Sequence, residues 1–343
     1  GVRDAVESYA DEAGVDDPDL AGDLFCDRFG VSAGGNFEGK TVLTRSASVD
    51  GLAEEYGLDV GETEALLERA REAVFAARRE RPRPPRDEKV LAGWNGLMIS
   101  AFAEAALVDD ESWAESAVDA LAFVREHLWD AEEERLSRRY KDGDVDVRGY
   151  LEDYAFLARG AFDCYQVTGE VDHLAFALDL ARVVEAEFWD ADEGTLYFTP
   201  QSGESLVARP QELADQSTPS SAGVAAELLL SLSDFVDHDR FESVAETVLA
   251  THGDRVESDP LQHPSLVLAA DRDASGAREF TLAPEALPDA WRQRLAETYV
   301  PRRLLAPRPP TDEGLAPWLD RLSLDEAPPV WAGREARDSE PTV

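Results

Sequence analysis

Apolar residues recur along most of this chain with the spacing of helices that bury one face. In residues 113–128 they follow an i, i+4, i+7, i+8 pattern, and the pattern returns in residues 174–188. Each segment follows a helical stretch of a different kind. Residues 96–108 are apolar on almost every side, with Ser100 and Glu104 as polar members. A helix that is apolar all round is buried all round, so the sequence predicts buried inner helices alternating with half-buried outer helices.

These helix pairs belong to an internal repeat of 60 residues. The tetrapeptide LWDA at 128–131 returns as FWDA at 188–191, and the same offset carries Trp94 onto Tyr154. Because the register holds through both helices before the tetrapeptide, the repeating unit is a helical hairpin. A third unit follows with an offset of 67 residues, and its inner helix is predicted at about residues 220–236.

Two further segments extend the series of hairpins. Residues 62–79 are predicted to form an outer helix of an earlier unit, and residues 265–270 a short apolar helix, which gives about four hairpins. Alternating inner and outer helices with short loops predict an all-α fold, an (α/α) toroid in which the inner helices surround a central cleft. A short β-hairpin is predicted at 195–200 from alternating apolar residues.

The pattern changes after residue 270. Residues 278–282, 288–299 and 302–305 predict a small β-α-β appendix, and residues 328–343 a surface tail. The predicted domains are therefore a toroid at 1–270 and an appendix with a tail at 271–343.

The composition of the chain shows an unusually large negative net charge. The chain of 343 residues has 72 acidic and 33 basic residues, a net charge of -39, and the acids are spread through amphipathic segments. This predicts the solvating surface of a halophilic protein and excludes nucleic acid as a partner. No apolar run approaches the roughly 18 residues of a membrane span, and the two cysteines have no metal-ligand spacing. We expect a cytoplasmic protein without a metal site or cofactor.

Candidate chemistry lies in the loops that lead into the inner helices, because these loops open at one end of a toroid and converge on its cleft. The acids predicted to transfer protons are Glu152, Asp153, Asp87 and Asp215, and the predicted substrate-binding residues are Trp94, Asn95, Tyr154, Lys89 and Ser220. Carboxylates for proton transfer and rings that stack on sugar faces are typical of a carbohydrate site.

Structural roles explain some of these residues equally well. Asp153 and Ser220 stand where helix N-caps are expected, and Trp94 and Tyr154 share a repeat position that suits a core residue. Adjacent carboxylates cannot both cap one helix. We therefore expect Asp153 to cap its helix and Glu152 to face the cleft with a raised pKa.

Polar residues also run down two of the inner helices at helical spacing. The first stripe is Arg159, Asp163 and Gln166, and the second is Glu227, Ser231 and Asp234. These stripes either line the lumen and deepen the cleft, or fill a gap between helices.

Four motifs resemble those of a known family. GGNFEGKTVL (34–43), DEKVLAGWNG (87–96), GYLEDYAFLARG (149–160) and STPSSAGVAA (217–226) are similar, in order, to segments of the thioredoxin-domain proteins related to spermatogenesis-associated protein 20. The resemblance implies a thioredoxin-like domain followed by an (α/α)6 toroid similar to N-acylglucosamine 2-epimerases and other six-hairpin sugar enzymes. It also implies that the thioredoxin-like domain and the first hairpins would lie before Gly1, so that the toroid is incomplete here.

The chain departs from that family at several positions. Ser221 and Ala222 stand where the family usually has Gly-Asn, and Ala214 where it has Tyr. Ala332 and Ala336 stand where it usually has two cysteines. The lost cysteines argue against a redox role for the tail.

Two functional hypotheses follow. The first is a carbohydrate-active toroid, similar to a sugar epimerase or isomerase, with a sugar-like small molecule as its partner. Epimerases of this type are associated with cleft histidines, and we expect none at the start of an inner helix, which favours carboxylate chemistry. The second is a non-catalytic module that binds a ligand or a protein for a thioredoxin-like domain, and the substituted positions favour it. The missing hairpins could also come from another chain.

Overall fold

The structure is a computed structural model that describes residues 3, 4, 6–8, 17–204, 206–236, 239–283 and 288–335. The end of the predicted tail, with Ala336, lies outside the described residues. Backbone contacts divide the chain into two units, Gly1–Asp87 and Glu88–Val343. The predicted boundary at residue 270 stays a prediction. Among the described residues, no helix combines the length and the apolar character that crossing a bilayer requires.

The first unit is a small helical body. Its main helices are α1 (Pro18–Phe29), α2 (Val49–Tyr56) and α3 (Val60–Arg79). Leu24, Phe25, Leu52 and Leu66 form its core where α1 and α2 pack on α3. A helix is thus confirmed at 62–79 as α3, which begins two residues earlier because Asp59 caps it. Its expected role as an outer helix of the toroid stays a prediction, since α3 belongs to the first unit.

The second unit contains the alternating helices. They are α4 (Ala92–Val108), α5 (Trp113–Leu128), α6 (Leu151–Thr168), α7 (Val171–Phe188), α8 (Ser221–Ser233), α9 (Asp239–Ser258) and α10 (Pro264–Ser275). The inner helices α4, α6, α8 and α10 contact one another in turn, and the outer helices α5, α7 and α9 pack against them. The predicted fold class, an all-α fold of the (α/α) toroid type, is confirmed.

The repeat is visible in the packing of α4 against α6. The N–H of Gly93 donates to Asp153 Oδ1 at 3.0 Å, and Ser100 Oγ donates to Asp163 Oδ2 at 2.8 Å. These pairs are separated by about 60 residues along the chain, so the two helices are parallel and nearly in repeat register. Gly96 lies against the backbone of α6, where a Cβ atom would collide with Phe156. Glycine is therefore what allows this close approach.

The repeated tetrapeptide forms a turn between two short strands. Trp129 pairs with Leu136 in one copy, and Trp189 pairs with Leu196 in the other. Asp130 Oδ1 accepts the N–H groups of the residues two and three positions on, and the corresponding aspartate of the second copy does the same. The predicted hairpin near 195–200 is thus present, but its partner strand is Trp189–Asp190.

A small antiparallel sheet after α5 was not predicted. β3 (Arg135–Lys141) pairs with β1 (Val90–Leu91), β2 (Trp129–Asp130) and β4 (Asp144–Arg148). Its central strand reads RLSRRYK and buries only Leu136 completely, so it lacks the apolar alternation by which strands are recognised. This sheet carries Arg138 to the start of α6.

The β-α-β appendix is confirmed to within a few residues. Its two parallel strands are Arg278–Leu282 and Arg303–Pro307, helix α11 (Asp289–Glu297) lies between them in the chain, and α12 (Asp312–Leu322) follows. Leu305 N–H donates to Gln166 Oε1 at 2.9 Å, and Tyr165 OH donates to the Pro307 carbonyl at 2.7 Å. The appendix therefore packs on the C-terminal end of α6.

The expected surface tail is wrong at Trp331. This residue is fully buried, and its ring packs against Tyr165, Phe235 and Trp318. Burial of a large ring with three aromatic neighbours outweighs the Pro-rich composition that suggested a tail.

Candidate functional site

A buried ion-pair cluster stands at the N-terminal end of α6. Arg138 Nη1 donates to Glu152 Oε1 at 2.5 Å and to Asp153 Oδ2 at 2.8 Å. Asp153 also accepts the N–H groups of Tyr150 and Gly93, each at 3.0 Å. Because Asp153 joins α4, β3 and α6, it is a structural tie as well as an acid.

The environments of the two adjacent carboxylates differ, as expected. Asp153 is fully buried and accepts the N–H at its own helix start, whereas the Glu152 side chain keeps 11% exposure. Burial raises the pKa of Asp153, although Arg138 and the two N–H donors act in the opposite direction. The expectation that Asp153 is the N-cap residue is wrong, because Tyr150 holds that position and Asp153, the third residue of the helix, accepts the Tyr150 N–H as part of a capping box. The burial that raises the pKa of Asp153 was not foreseen.

The two predicted residues of the third loop hold that loop in place. Asp215 accepts the N–H of Ser220 at 3.1 Å, and the N–H of Ser265 at 3.2 Å together with its hydroxyl. Ser220 caps α8 by accepting the N–H of Gly223 at 3.1 Å. These bonds fix the loop against the start of α10.

The two aromatic candidates, Trp94 and Tyr154, differ in their exposure to solvent. Trp94, near the start of α4, is 59% exposed and offers its ring to solvent. Tyr154 is 1% exposed, and its hydroxyl accepts the N–H of Leu136 at 2.8 Å. Only Trp94 of this repeat pair has a ring face on which a ligand could stack.

The remaining candidates lie in or beside the first loop. Asn95 Nδ2 donates to the Leu91 carbonyl at 2.8 Å, which joins the start of α4 to β1. Lys89 is exposed immediately before β1. Asp87 is the last residue of the first unit, whereas the Arg138 cluster belongs to the second unit.

A cavity of about 450 Å³ opens beside the loop that precedes α8, and it contains two titratable groups that the sequence did not single out. Its walls include Glu212, Thr218, Arg255 and His263. Partial desolvation and the neighbouring Glu152 carboxylate raise the pKa of Glu212, and Arg138 opposes the shift. No local motif marks Glu212, because folding rather than sequence distance places it near Glu152.

His263 stands directly before the inner helix α10. The expectation that no histidine occupies such a position is therefore wrong. Its Nδ1 lies 2.9 Å from the Asp259 carbonyl, which can only accept, so Nδ1 carries the proton and Nε2 is unprotonated in the neutral ring. Pro264, a typical first residue of a helix, was the signal that could have placed His263 at this N-terminus.

A larger cavity of about 590 Å³ lies among the four inner helices. Arg159, Asp163 and Glu227 line it, whereas Gln166 turns to the appendix and Asp234 pairs with Arg272 at 2.9 Å. The polar stripes thus serve both predicted purposes. Ser231 connects no further element, because it donates to Glu227 within α8.

The fold and these cavities define a toroid-type helical protein whose lumen contains charged side chains between apolar ones. The chain is 30% identical over 316 residues to spermatogenesis-associated protein 20 of Rattus norvegicus and 29% identical to that of Homo sapiens. Each alignment covers 85% of this chain and 40% of the relative, so the chain spans well under half the length of these proteins. The chain is a homologue of spermatogenesis-associated protein 20, as its motifs indicated. No family model matches it.

Several solved structures are similar in outline. Cellobiose 2-epimerase from Spirochaeta thermophila aligns with a TM-score of 0.44 and 13% identity, over 62% of this chain and 59% of its own. An alpha-1,6-mannanase from Salegentibacter sp. aligns with a TM-score of 0.43 and 13% identity, over 85% and 84% of the two chains. A D-mannose isomerase aligns with a TM-score of 0.37 and 12% identity, over 65% and 57%.

Proposed function

We propose that this chain acts on a sugar-like small molecule by acid–base chemistry at the N-terminal end of its inner helices. The observation that supports this most directly is that Glu212 and His263 line the same cavity of about 450 Å³. Glu212 is a carboxyl group with a raised pKa, and the neutral ring of His263 offers Nε2 as the proton acceptor, since Nδ1 donates to the Asp259 carbonyl. An acid and a base beside one pocket are the pair that epimerisation or isomerisation of a sugar requires.

The proposed reaction proceeds on an open-chain aldose. His263 Nε2 removes the proton from C2, and protonated Glu212 gives its proton to the carbonyl oxygen, which forms an enediol. For the ketose, His263 returns its proton to C1 while the C2 hydroxyl gives its proton back to Glu212. For the epimer, the enediol first turns the other face of C2 toward His263, which returns its proton there while the O1 hydroxyl gives its proton back to Glu212. Glu152 contributes indirectly, because its charge favours the protonated form of Glu212. Trp94 supplies an exposed ring at this end of the unit.

A second candidate function is a non-catalytic binding module. It is favoured by the way Asp153 and Asp215, two of the acids predicted to transfer protons, are engaged in hydrogen bonds that hold α4, α6, α8 and α10 together. In that case the cavities bind a ligand and no proton is exchanged.

Proton NMR in D2O separates the two candidates. We expect the wild-type chain to exchange the C2 proton of D-mannose, D-glucose or cellobiose for deuterium. Glu212→Gln and His263→Asn should each slow this exchange by about 100-fold or more, because each removes one proton-transfer group. Asn can still donate to the Asp259 carbonyl, so the second variant keeps that structural bond.

Glu246→Gln is the matched control, because Glu246 is exposed on the outer helix α9. Its exchange rate should stay within about twofold of wild type. Absence of exchange with all three sugars in the wild-type chain, or full activity in both site variants, would reject the acid–base proposal.

A further inference from the structure

The larger cavity has apolar walls and a polar floor. Leu97, Phe156, Val224 and Leu268 contribute apolar surface, and its volume of about 590 Å³ falls within the usual range of small-molecule sites. The inner helices α4, α6, α8 and α10 all contribute residues. Residues 299–303 of the appendix complete the lining, so the cavity lies where the lumen meets the appendix, beyond the loops that hold Glu212 and His263.

The polar floor is a network centred on Arg159. Its Nε donates to both oxygens of Asp163 at 3.1 Å, and its Nη1 donates to Glu227. Ser100 donates to Asp163 at 2.8 Å, and Ser231 donates to Glu227 Oε1 at 3.2 Å. Arg159 Nη2 has no acceptor among the described residues and remains able to donate to a ligand. The network fixes donors and acceptors before any ligand enters.

The charges around this cavity are already balanced. Each arginine that lines it is paired with a carboxylate: Arg159 with Asp163 and Glu227, Arg272 with Asp234, Arg302 with Asp271, and Arg303 with Glu104. An anionic ligand would thus find no unpaired guanidinium among the described lining residues, and it would meet carboxylates at close range. A neutral polyol pays no such penalty, since its hydroxyl groups can donate to carboxylate oxygens and accept from Nη2.

We propose that the lumen cavity binds a neutral, unphosphorylated sugar, with Arg159, Asp163 and Glu227 bound to its hydroxyl groups and Phe156 and Leu268 against its apolar face. The choice of a sugar rests on the proposed function, whereas the neutral charge of the ligand rests on the ion pairs of the lumen. Asp215 and Ser265 connect this site to the acid–base cavity. Ser265 lines the lumen, and it is bonded to Asp215, whose neighbours Ala214 and Gln216 line the smaller cavity.

Titration calorimetry of the 343-residue chain tests ligand charge. The neutral probes are D-mannose and cellobiose. The anionic probe is D-mannose 6-phosphate, which differs from D-mannose by one phosphate ester. We expect at least one neutral sugar to bind about tenfold or more tightly than the phosphate ester. Glu227→Gln removes one negative charge from the floor and should narrow that ratio.

A blocking substitution tests location. Leu268 lines the cavity and is 64% exposed, so Leu268→Trp fills space without disturbing the core. We expect it to weaken neutral-sugar binding by about tenfold or more. Leu261→Trp is the matched control, because Leu261 is 92% exposed and lies outside the lining, and it should bind within about twofold of wild type.

The outcomes separate this proposal from the proposed function. Equal or tighter binding of the phosphate ester, no binding of either neutral sugar, or unchanged binding in Leu268→Trp would overturn the lumen site. If the binding pattern holds while the wild-type chain exchanges no C2 proton, the acid–base proposal fails and the lumen site stands. If exchange occurs and depends on Glu212 while Leu268→Trp binds normally, the lumen proposal alone fails.

Discussion

At the residue scale, Asp153 shows how one carboxylate can be both an attractive catalytic candidate and a structural tie. It is fully buried and accepts hydrogen bonds from Gly93, Tyr150 and Arg138, which lie on α4, on the loop before α6 and on β3. We expect Asp153→Asn to lower the free energy of unfolding by about 2 kcal/mol, because an amide is a weaker partner for the half-buried Arg138 and replaces an acceptor oxygen by a donor. Chemical denaturation at neutral pH measures the change.

Glu152→Gln provides the comparison, since Glu152 binds the same arginine. Its side chain makes a single ion pair and keeps 11% exposure, so we expect the substitution to cost less than half as much. Equal losses in the two variants would show that Asp153 is not the main connection at this end of the inner helices.

Sequence reasoning placed some residues of this site correctly and missed others for an identifiable reason. The capping role of Ser220 and the different environments of Glu152 and Asp153 follow from positions at helix starts, which local patterns describe well, although Asp153 is at the third helical position and not at the N-cap. Arg138 and Glu212 reach the site from a strand and a loop whose sequences contain no motif. Their placement depends on tertiary packing, and the periodicity of apolar residues in a single sequence predicts helices and strands but not such packing.

At the element scale, the close approach of α4 and α6 depends on glycine. A Cβ atom on Gly96 would collide with the backbone of Phe156, and one on Gly160 would come within 2.8 Å of the Gly96 carbonyl. We expect Gly96→Ala to destabilise the protein by about 1–3 kcal/mol, because the two helices must move apart. Thermal or denaturant-induced unfolding of the variant and the wild type measures this loss of stability.

Gly253 offers a matched control within another helix. It lies in α9 and has open space where a Cβ atom would stand. Gly253→Ala should therefore stabilise the protein by about 0.5–1 kcal/mol through its effect on helix propensity. The same substitution is therefore expected to change the free energy of unfolding in opposite directions at the two positions. A Gly96→Ala variant as stable as the wild type would contradict the close packing of the inner helices.

The internal repeat made the helices and the turns between them predictable. The small sheet beside α5 could not be predicted in this way. A period of 60 residues related Trp129 to Trp189, and both stand in the same strand register, opposite Leu136 and Leu196. β3 and β4 extend the first copy of that turn by a hairpin rich in arginine and aspartate, with no equivalent among the named strands of the second copy. An insertion into one repeat has no internal copy against which to align it.

At the scale of the whole molecule, charge is the dominant unusual property. The chain has 72 acidic residues and 33 basic ones, and many of its arginines are bound in ion pairs within the fold. The chain therefore has 39 more acidic than basic residues, and one-to-one ion pairing cannot neutralise this excess of negative charge. The mutual repulsion of these charges opposes the compact state, and mobile counterions are the available means of reducing it.

We therefore expect the folded state to require concentrated salt. The screening length falls from about 8 Å at physiological ionic strength to about 3 Å at 1 M, which is shorter than most separations between surface charges. Raising KCl from about 0.2 M to 2 M should increase the melting temperature by about 10 °C or more, since removing a few kcal/mol of repulsion is enough for such a shift in a protein of this size. Melts in sucrose at equal osmolality are the control, because an excluded solute favours compact states without screening charge. A melting temperature that does not change with KCl, or that rises equally in sucrose, would contradict a charge-based origin of the salt requirement.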